Sequence, residues 1–249
     1  MEVKTRGWYK KWFGNEYLTV YAHRDEREAK QVITLLLENI KLKKHAKILD
    51  LCCGQGRHAL LLARQGFSVF GIDLSRTLLE IAKFKNPPQQ NAHFIQADMR
   101  HIPVNNKFDV LMNLFTSFGY FHEDRDNQGV FHQFNHALKP DAYFLFDYLN
   151  KHSVLKNLET YHKDTIGPVI VEQERQIVGD RVVKKIILQN GKDTRIFFES
   201  VRMYSPETIL HMLRDAGLIP VKIYGSYTGS DFEINSSRFI VIGKKEAYE

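Results

Sequence analysis

The chain has 249 residues, 43% of them hydrophobic, which is enough for one domain of ordinary size with a real core. No apolar run reaches the roughly 18 residues of a membrane span, and the opening MEVKTRGWYKKWFG lacks the apolar centre of a secretory leader. Two adjacent cysteines, Cys52 and Cys53, exclude a disulfide framework and offer no metal-ligand spacing, so a reduced, cytoplasmic setting without a bound metal is expected.

The net charge is +6, and residues 1–47 hold 11 Lys/Arg against 6 Asp/Glu. Such an excess suits a solvated amphipathic helix, or contact with nucleic acid or an acidic small molecule. Residues 25–42 carry apolar positions at helical spacing behind an acidic start, with Asp25 or a neighbour as the cap. Strand and helix then alternate. KILDL is a strand, and RHALLLARQG is a helix ending at Gly66. FSVFGID, AHFIQAD, FDVLMNLF and AYFLFDYL are the next strands. SRTLLEIAKFK, capped by Ser75, and residues 124–138 are helices between them. That alternation predicts a parallel sheet covered on both faces.

The pattern changes after residue 165. PVIVEQERQI, RVVKKIILQ and TRIFFESVRMY are separated by Gly179-Asp180 and Asn190-Gly191, which predicts a three-stranded antiparallel insertion over 165–203. A helix over SPETILHMLRDAG and two strands, IPVKIYGSY and RFIVIGK, complete the chain.

The stretch ILDLCCGQGRH reads as a strand, a glycine turn and a helix whose N–H groups point back at a ligand. Asp50 ends the first strand, and Gly54 and Gly56 make the turn. Asp73 ends the second strand, where a carboxylate can accept from both hydroxyls of a ribose, or cap a turn. Gly54, Gly56 and Ala59 also match the G-x-G-x-x-A spacing of dinucleotide enzymes. The bulk of Cys52 and Gln55 argues against a pyrophosphate there. A further acid, Asp98, stands in QADMR, where it can take an adenine amino group while the Met99 N–H meets a ring nitrogen.

Together these stretches resemble class I S-adenosylmethionine (AdoMet)-dependent methyltransferases from about residue 42 onward. LDLCCGQG is similar to the family's glycine motif, GIDLS to its ribose motif, QADMR to its adenine motif, and FDVLMNLFTSFGYF to the motif beside the transferred methyl. The resemblance implies a Rossmann-like seven-stranded sheet with a terminal antiparallel hairpin. It implies a methyltransferase domain over 42–249 preceded by a helical lid over 1–41. The aromatic segment WYKKWFGNEYLTVYAHRDE, the FTSFGYF stretch and the β insertion resemble small-molecule N-methyltransferases, including those acting on amino sugars. The cofactor set that follows is Tyr17, Tyr21 and Arg24 from the lid, with Asp50, Cys52, Gly54, Asp73, Leu74, Asp98, Met99 and Asn113. Arg24 is placed to pair with the methionine carboxylate.

Acceptor-side candidates are Phe115, Phe118 and Tyr120 after the fourth strand, and Tyr148 and Asn150 at the end of the fifth. His122 is either a base or a surface residue. The expected reaction is methyl transfer to nitrogen or oxygen of a small molecule. The alternatives are a nucleic-acid base methyltransferase and a non-catalytic AdoMet-binding protein. Nucleic acid is disfavoured because NLFT stands where amino-methylating DNA enzymes carry an Asn-Pro-Pro-aromatic tetrad, and no RNA-binding appendage is recognisable.

Overall fold

In the computed structural model, which describes residues 5–22 and 26–247, the apolar runs after residue 46 pair as one sheet. Its parallel strands are β1 (Lys47–Leu51), β2 (Ser68–Asp73), β3 (Ala92–Gln96), β4 (Phe108–Asn113) and β5 (Leu138–Leu149). Two further strands, β10 (Leu218–Tyr224) and β11 (Arg238–Lys245), close the sheet in the order β10-β11-β5-β4-β1-β2-β3. β11 runs antiparallel to both β5 and β10, which is the terminal hairpin expected from the sequence.

Preceding the sheet are α1 (Tyr9–Trp12), α2 (Asn15–Val20) and α3 (Glu26–Asn39). Between the strands lie α4 (Arg57–Arg64), α5 (Arg76–Phe84), α6 (Asp124–Ala137), α7 (Lys151–Lys156) and α8 (Pro206–Asp215). α3, α4 and α5 cover one face of the sheet, and α6 and α8 the other. The caps are the ones the sequence advertises. Ser75 Oγ accepts from the Leu78 N–H, and Ser205 Oγ from the Thr208 N–H ahead of Pro206 in the first turn. Arg24 and Asp25 lie outside the described residues.

The insertion has four strands rather than three: β6 (Tyr161–Ile166), β7 (Val169–Val178), β8 (Arg181–Asn190) and β9 (Asp193–Arg202), in sequential antiparallel order. β6 escaped the sequence pattern because YHKDTI is an exposed edge with no apolar alternation. Each hairpin turns on two residues, Gly167-Pro168, Gly179-Asp180 and Gly191-Lys192, with the glycine first and at positive φ. That is the pattern of type II′ turns, whose twist matches the strands. Asn190 therefore ends a strand instead of occupying the turn centre. One face of this sheet, carrying Val171, Ile186 and Leu188, packs on Trp8, Trp12 and Val20. The helical N-terminal segment and the insertion thus form a second layer across the carboxyl ends of the parallel strands.

Candidate active site

A cavity of about 480 Å³ lies between these two layers, within the range of small-molecule sites. Its floor is the loop after β1, with the ends of β2 and the loops after β3 and β4 around it. Its roof comes from α1–α2 and from β7, β8 and β9.

The floor is built by backbone geometry. Cys52 adopts φ 63°, Gly54 55° and Gly56 77°. Cys52 therefore stands in a left-handed conformation that costs an L-residue about 1–2 kcal/mol. The N–H groups of Cys52 and Cys53 both donate to the Ile72 carbonyl, at 2.7 and 3.1 Å, which holds the turn in place. Gly56 heads α4 and admits no side chain, since a Cβ would come within 2.9 Å of the Phe94 ring.

Asp73 ties the floor together. One carboxylate oxygen accepts from Gly54 N and the other from Ser75 N, both at 2.8 Å. Burial raises its pKa, opposed by the N–H groups of Ser75, Gly54 and Leu74. The expected ribose carboxylate lines the cavity and is also a structural clamp. Its two oxygens offer about four acceptor sites, so room remains for a ligand beside the backbone N–H groups.

Two buried polar atoms of the floor have no hydrogen-bond partner among the described residues: Asp50 Oδ2 and His58 Nε2. Burial and the nearby Asp73 push the Asp50 carboxyl up to about 7, with the Ala59 N–H working the other way. Burial and Arg57 push the His58 imidazole down to about 3, so it is neutral at physiological pH. Both residues line the cavity at its Phe115 end, where the His58 and Phe115 rings lie 5.3 Å apart. Sequence reading missed His58. Its position, second in the helix after the glycine turn, was the available signal.

At the other end, Leu74, Ala97 and Met99 line a slot. Asp98 is held by Arg100 through Nη2–Oδ2 at 2.7 Å and Nε–Oδ1 at 3.1 Å. Burial would raise its pKa, but the Arg100 hydrogen bonds hold it below the ordinary value. The Arg100 guanidinium in turn lies 4.4 Å from the Phe121 ring centroid. The supposed adenine acceptor is thus a paired carboxylate that lines the cavity.

The roof is latched to the floor. The Phe13 carbonyl accepts from Ser75 Oγ at 2.6 Å, beside the Asp73 clamp. Glu199 on β9 accepts from Trp12 Nε1 at 2.7 Å and from the Tyr21 hydroxyl at 2.8 Å, and pairs with Lys184 Nζ at 2.6 Å. Burial would push this carboxyl up, but Lys184 and the Tyr21 and Trp12 hydrogen bonds hold it below its ordinary value. Tyr17 and Tyr21 both line the cavity, with ring centroids 4.9 Å apart. The loop after β4 is gripped from the insertion by Arg181, whose guanidinium donates to the carbonyls of Gly119, Tyr120 and Phe121.

Of the acceptor-side candidates, Phe115 and Tyr120 line the cavity, and Phe118, Tyr148 and Asn150 do not. Phe118 is fully buried against Phe131, Phe146 and Tyr148. The Tyr148 hydroxyl donates to the Arg202 carbonyl, and Asn150 caps α7 and donates to the carbonyls of Ile234 and Ser236. Asn113 also lies off the cavity, bonding the Leu51 carbonyl at 3.2 Å. His122 is exposed and away from it. Asn113 and Tyr148 lie on strands, where side chains alternate between faces, and Phe118 and Asn150 lie in loops turned inward by their partners, which sequence position alone does not resolve.

Residues 48–141 match the family model described as a methyltransferase domain. Residues 48–141 are thus similar to methyltransferase domains. The chain is 36% identical over 127 residues to the putative methyltransferase YqeM of Bacillus subtilis, covering 51% of this chain and 50% of that protein. The chain spans about half the length of that relative. Among solved structures, an S-adenosylmethionine-dependent methyltransferase from Clostridium acetobutylicum superposes with a TM-score of 0.79 at 22% identity. That match covers 91% of this chain and 94% of the other. The sugar N-methyltransferase KedS8 from a Streptoalloteichus species gives 0.71 at 20% identity over 94% of each chain. The fold is therefore the Rossmann-like fold of AdoMet-dependent methyltransferases.

Proposed function

We propose that the chain is an AdoMet-dependent methyltransferase that acts on nitrogen of a small molecule. The observation that carries this reading is the roofed cavity whose floor holds Asp50 Oδ2 and His58 Nε2, both without a partner among the described residues. The residues present fit the cofactor. Asp50 Oδ2 suits an ammonium group, Asp73 at the end of β2 suits a ribose, and the slot of Leu74, Ala97 and Met99 suits a flat apolar ring. AdoMet supplies a methyl group already activated on a sulfonium, so the protein's share is position and exclusion of water.

The roof supplies no strong base among its described residues. Glu199 is paired with Lys184, and burial, with Cys52 and Tyr17 adding, keeps the Tyr120 hydroxyl well above its ordinary pKa. A neutral amine needs no such base, whereas a hydroxyl acceptor usually does. Similarity to a sugar N-methyltransferase supports the same choice. Tyr17, Tyr21 and Tyr120 would wall the acceptor, and Phe115 the methionine end of the cofactor.

The test has two stages. Calorimetry with AdoMet, S-adenosylhomocysteine and NAD should show binding of the first two and not the third. Tight NAD binding without AdoMet binding would overturn the reading. Turnover of AdoMet should then appear with small amines such as glycine, sarcosine or a nucleotide-linked amino sugar. A gel-shift series in salt separates the nucleic-acid alternative. Binding should stay at the weak non-specific level of about 10⁻⁴–10⁻⁶ M, and tight RNA binding would favour that alternative.

A further inference from the structure

Phe115 and Thr116, consecutive and neither of them glycine, both adopt left-handed backbone conformations, with φ 55° and 61°. Both line the cavity. Left-handed geometry at non-glycine residues persists only where surrounding structure enforces it, and it gathers at ligand-binding loops. The enforcing group is Asp147 on β5, which is fully buried and does not itself reach the cavity.

Asp147 meets both strained residues. Its Oδ2 accepts from the Phe115 N–H at 2.7 Å, and its backbone carbonyl accepts from the Thr116 N–H at 3.1 Å. The carboxylate is fixed in turn from the far side. Arg238 on β11 donates from Nε to Oδ1 at 2.8 Å, and the Tyr227 hydroxyl donates to Oδ2 at 2.6 Å. Arg238 closes the circuit by donating from Nη2 to Thr116 Oγ1 at 2.9 Å. Three separate segments, β5, β11 and the loop between β10 and β11, thus converge on two peptide units.

We infer that Asp147 is a positioning residue that holds the Phe115–Thr116 wall of the cavity in its strained form, with Arg238 as its partner. The wall stands beside His58 and Arg57, whose guanidinium lies 5.3 Å from the Phe115 ring centroid. Releasing it would let Phe115 leave the methionine end of the cofactor site. The inference relies on the proposed cofactor for its affinity readout only.

Two measurements test it on the full chain. In Asp147→Asn the amide side chain can present its N–H₂ to the Phe115 N–H, and the loop should relax. Hydrogen exchange at the Phe115 and Thr116 amides should accelerate by about tenfold or more, and affinity for S-adenosylhomocysteine should fall by about tenfold. Adding Thr116→Gly removes one left-handed penalty, because glycine adopts that conformation freely. It should win back at least about threefold of the lost affinity. A merely structural role for Asp147 would give no such rescue.

Should Asp147→Asn fail to fold, Arg238→Lys keeps the positive charge but loses the fork to Thr116. It should speed exchange at Thr116 by about threefold or more. Unchanged exchange and affinity in a folded Asp147→Asn protein would overturn the inference, and so would an affinity loss that Thr116→Gly does not recover. If the parent chain binds no S-adenosylhomocysteine, the proposed cofactor falls, and the exchange rates still decide the role of Asp147.

Discussion

Binding of the proposed cofactor should release a proton, and Asp50 is the source. In the fold its carboxyl sits at about 7, against an ordinary 3.8, through burial and the nearby Asp73. With a pKa of about 7, roughly three-quarters of the molecules carry this proton at pH 6.5. A cofactor ammonium placed against the unpartnered Oδ2 would lower that pKa by about 1–3 units. Taking a drop of about 2 units, almost no protonated form remains at pH 6.5, and about 0.7 proton leaves for each cofactor bound. The cofactor's own amino group, with a pKa near 7.7–8.0 in the free state, is already charged and adds little. His58, at about 3, adds nothing. Near pH 8.5 the release should give way to net uptake, because Asp50 is already ionised and the free amino group, mostly neutral there, gains a proton to bind as the ammonium. The assay is calorimetric titration with S-adenosylhomocysteine in buffers of different ionisation enthalpy, whose slope counts protons. A release below about 0.2 at pH 6.5, or an undiminished release in Asp50→Asn, would refute the placement of the ammonium at Asp50.

The same two floor residues should pull stability of the ligand-free protein in opposite directions with pH. Asp50, raised from 3.8 to about 7, contributes stability below 3.8 that is lost as pH rises towards 7, whereas His58, lowered from 6.5 to about 3, contributes stability above 6.5 that is lost as pH falls. Between pH 6.5 and 4.5 Asp50→Asn should therefore lose melting temperature relative to the parent and His58→Gln should gain it, each by about 5 °C. Parallel melting profiles for all three proteins would contradict this. Asp73→Asn leaves one of the two clamped N–H groups without an acceptor. It should destabilise the protein by about 1–3 kcal/mol and weaken S-adenosylhomocysteine severalfold, and an unchanged melt and affinity would remove the clamp role. Glu199→Gln strips the charge that holds Lys184, Trp12 and Tyr21. It should cost about 1–3 kcal/mol and red-shift tryptophan emission as the roof loosens, while an unaltered emission spectrum would show that the latch rests on packing alone.

Much of this architecture follows from local sequence. KILDL, FSVFGID and FDVLMNLF are short apolar runs bounded by polar turns, and their length and flanks favour buried strands over helices. Ser75 and Ser205 cap helices because their hydroxyls reach N–H groups three residues on, within one turn of chain. The glycine turn, Asp50 and Asp73 belong together for the same reason, since a strand end, a tight turn and a helix start are fixed by neighbours in the chain. The strand β6 was invisible because an exposed polar edge has no burial to imprint a pattern.

The site itself divides along the same line. Gly54, Asp73, Asp98 and Met99 reach the cavity as expected, because they sit at a strand end or in the loops that leave the carboxyl edge of the sheet. Phe118, Tyr148, Asn150 and Asn113 lie at the same edge, yet face the interior. Which way each one faces depends on loop φ angles and on partners more than 50 residues away in three of the four cases, such as the Arg202 carbonyl for Tyr148. Lys184, Glu199, Arg238 and Asp147 carried no local signal at all. Each acquires its role only when β5, β8, β9 and β11 come together. A buried charge is tolerated only beside its partner, and the chain brings those partners together only in the folded state.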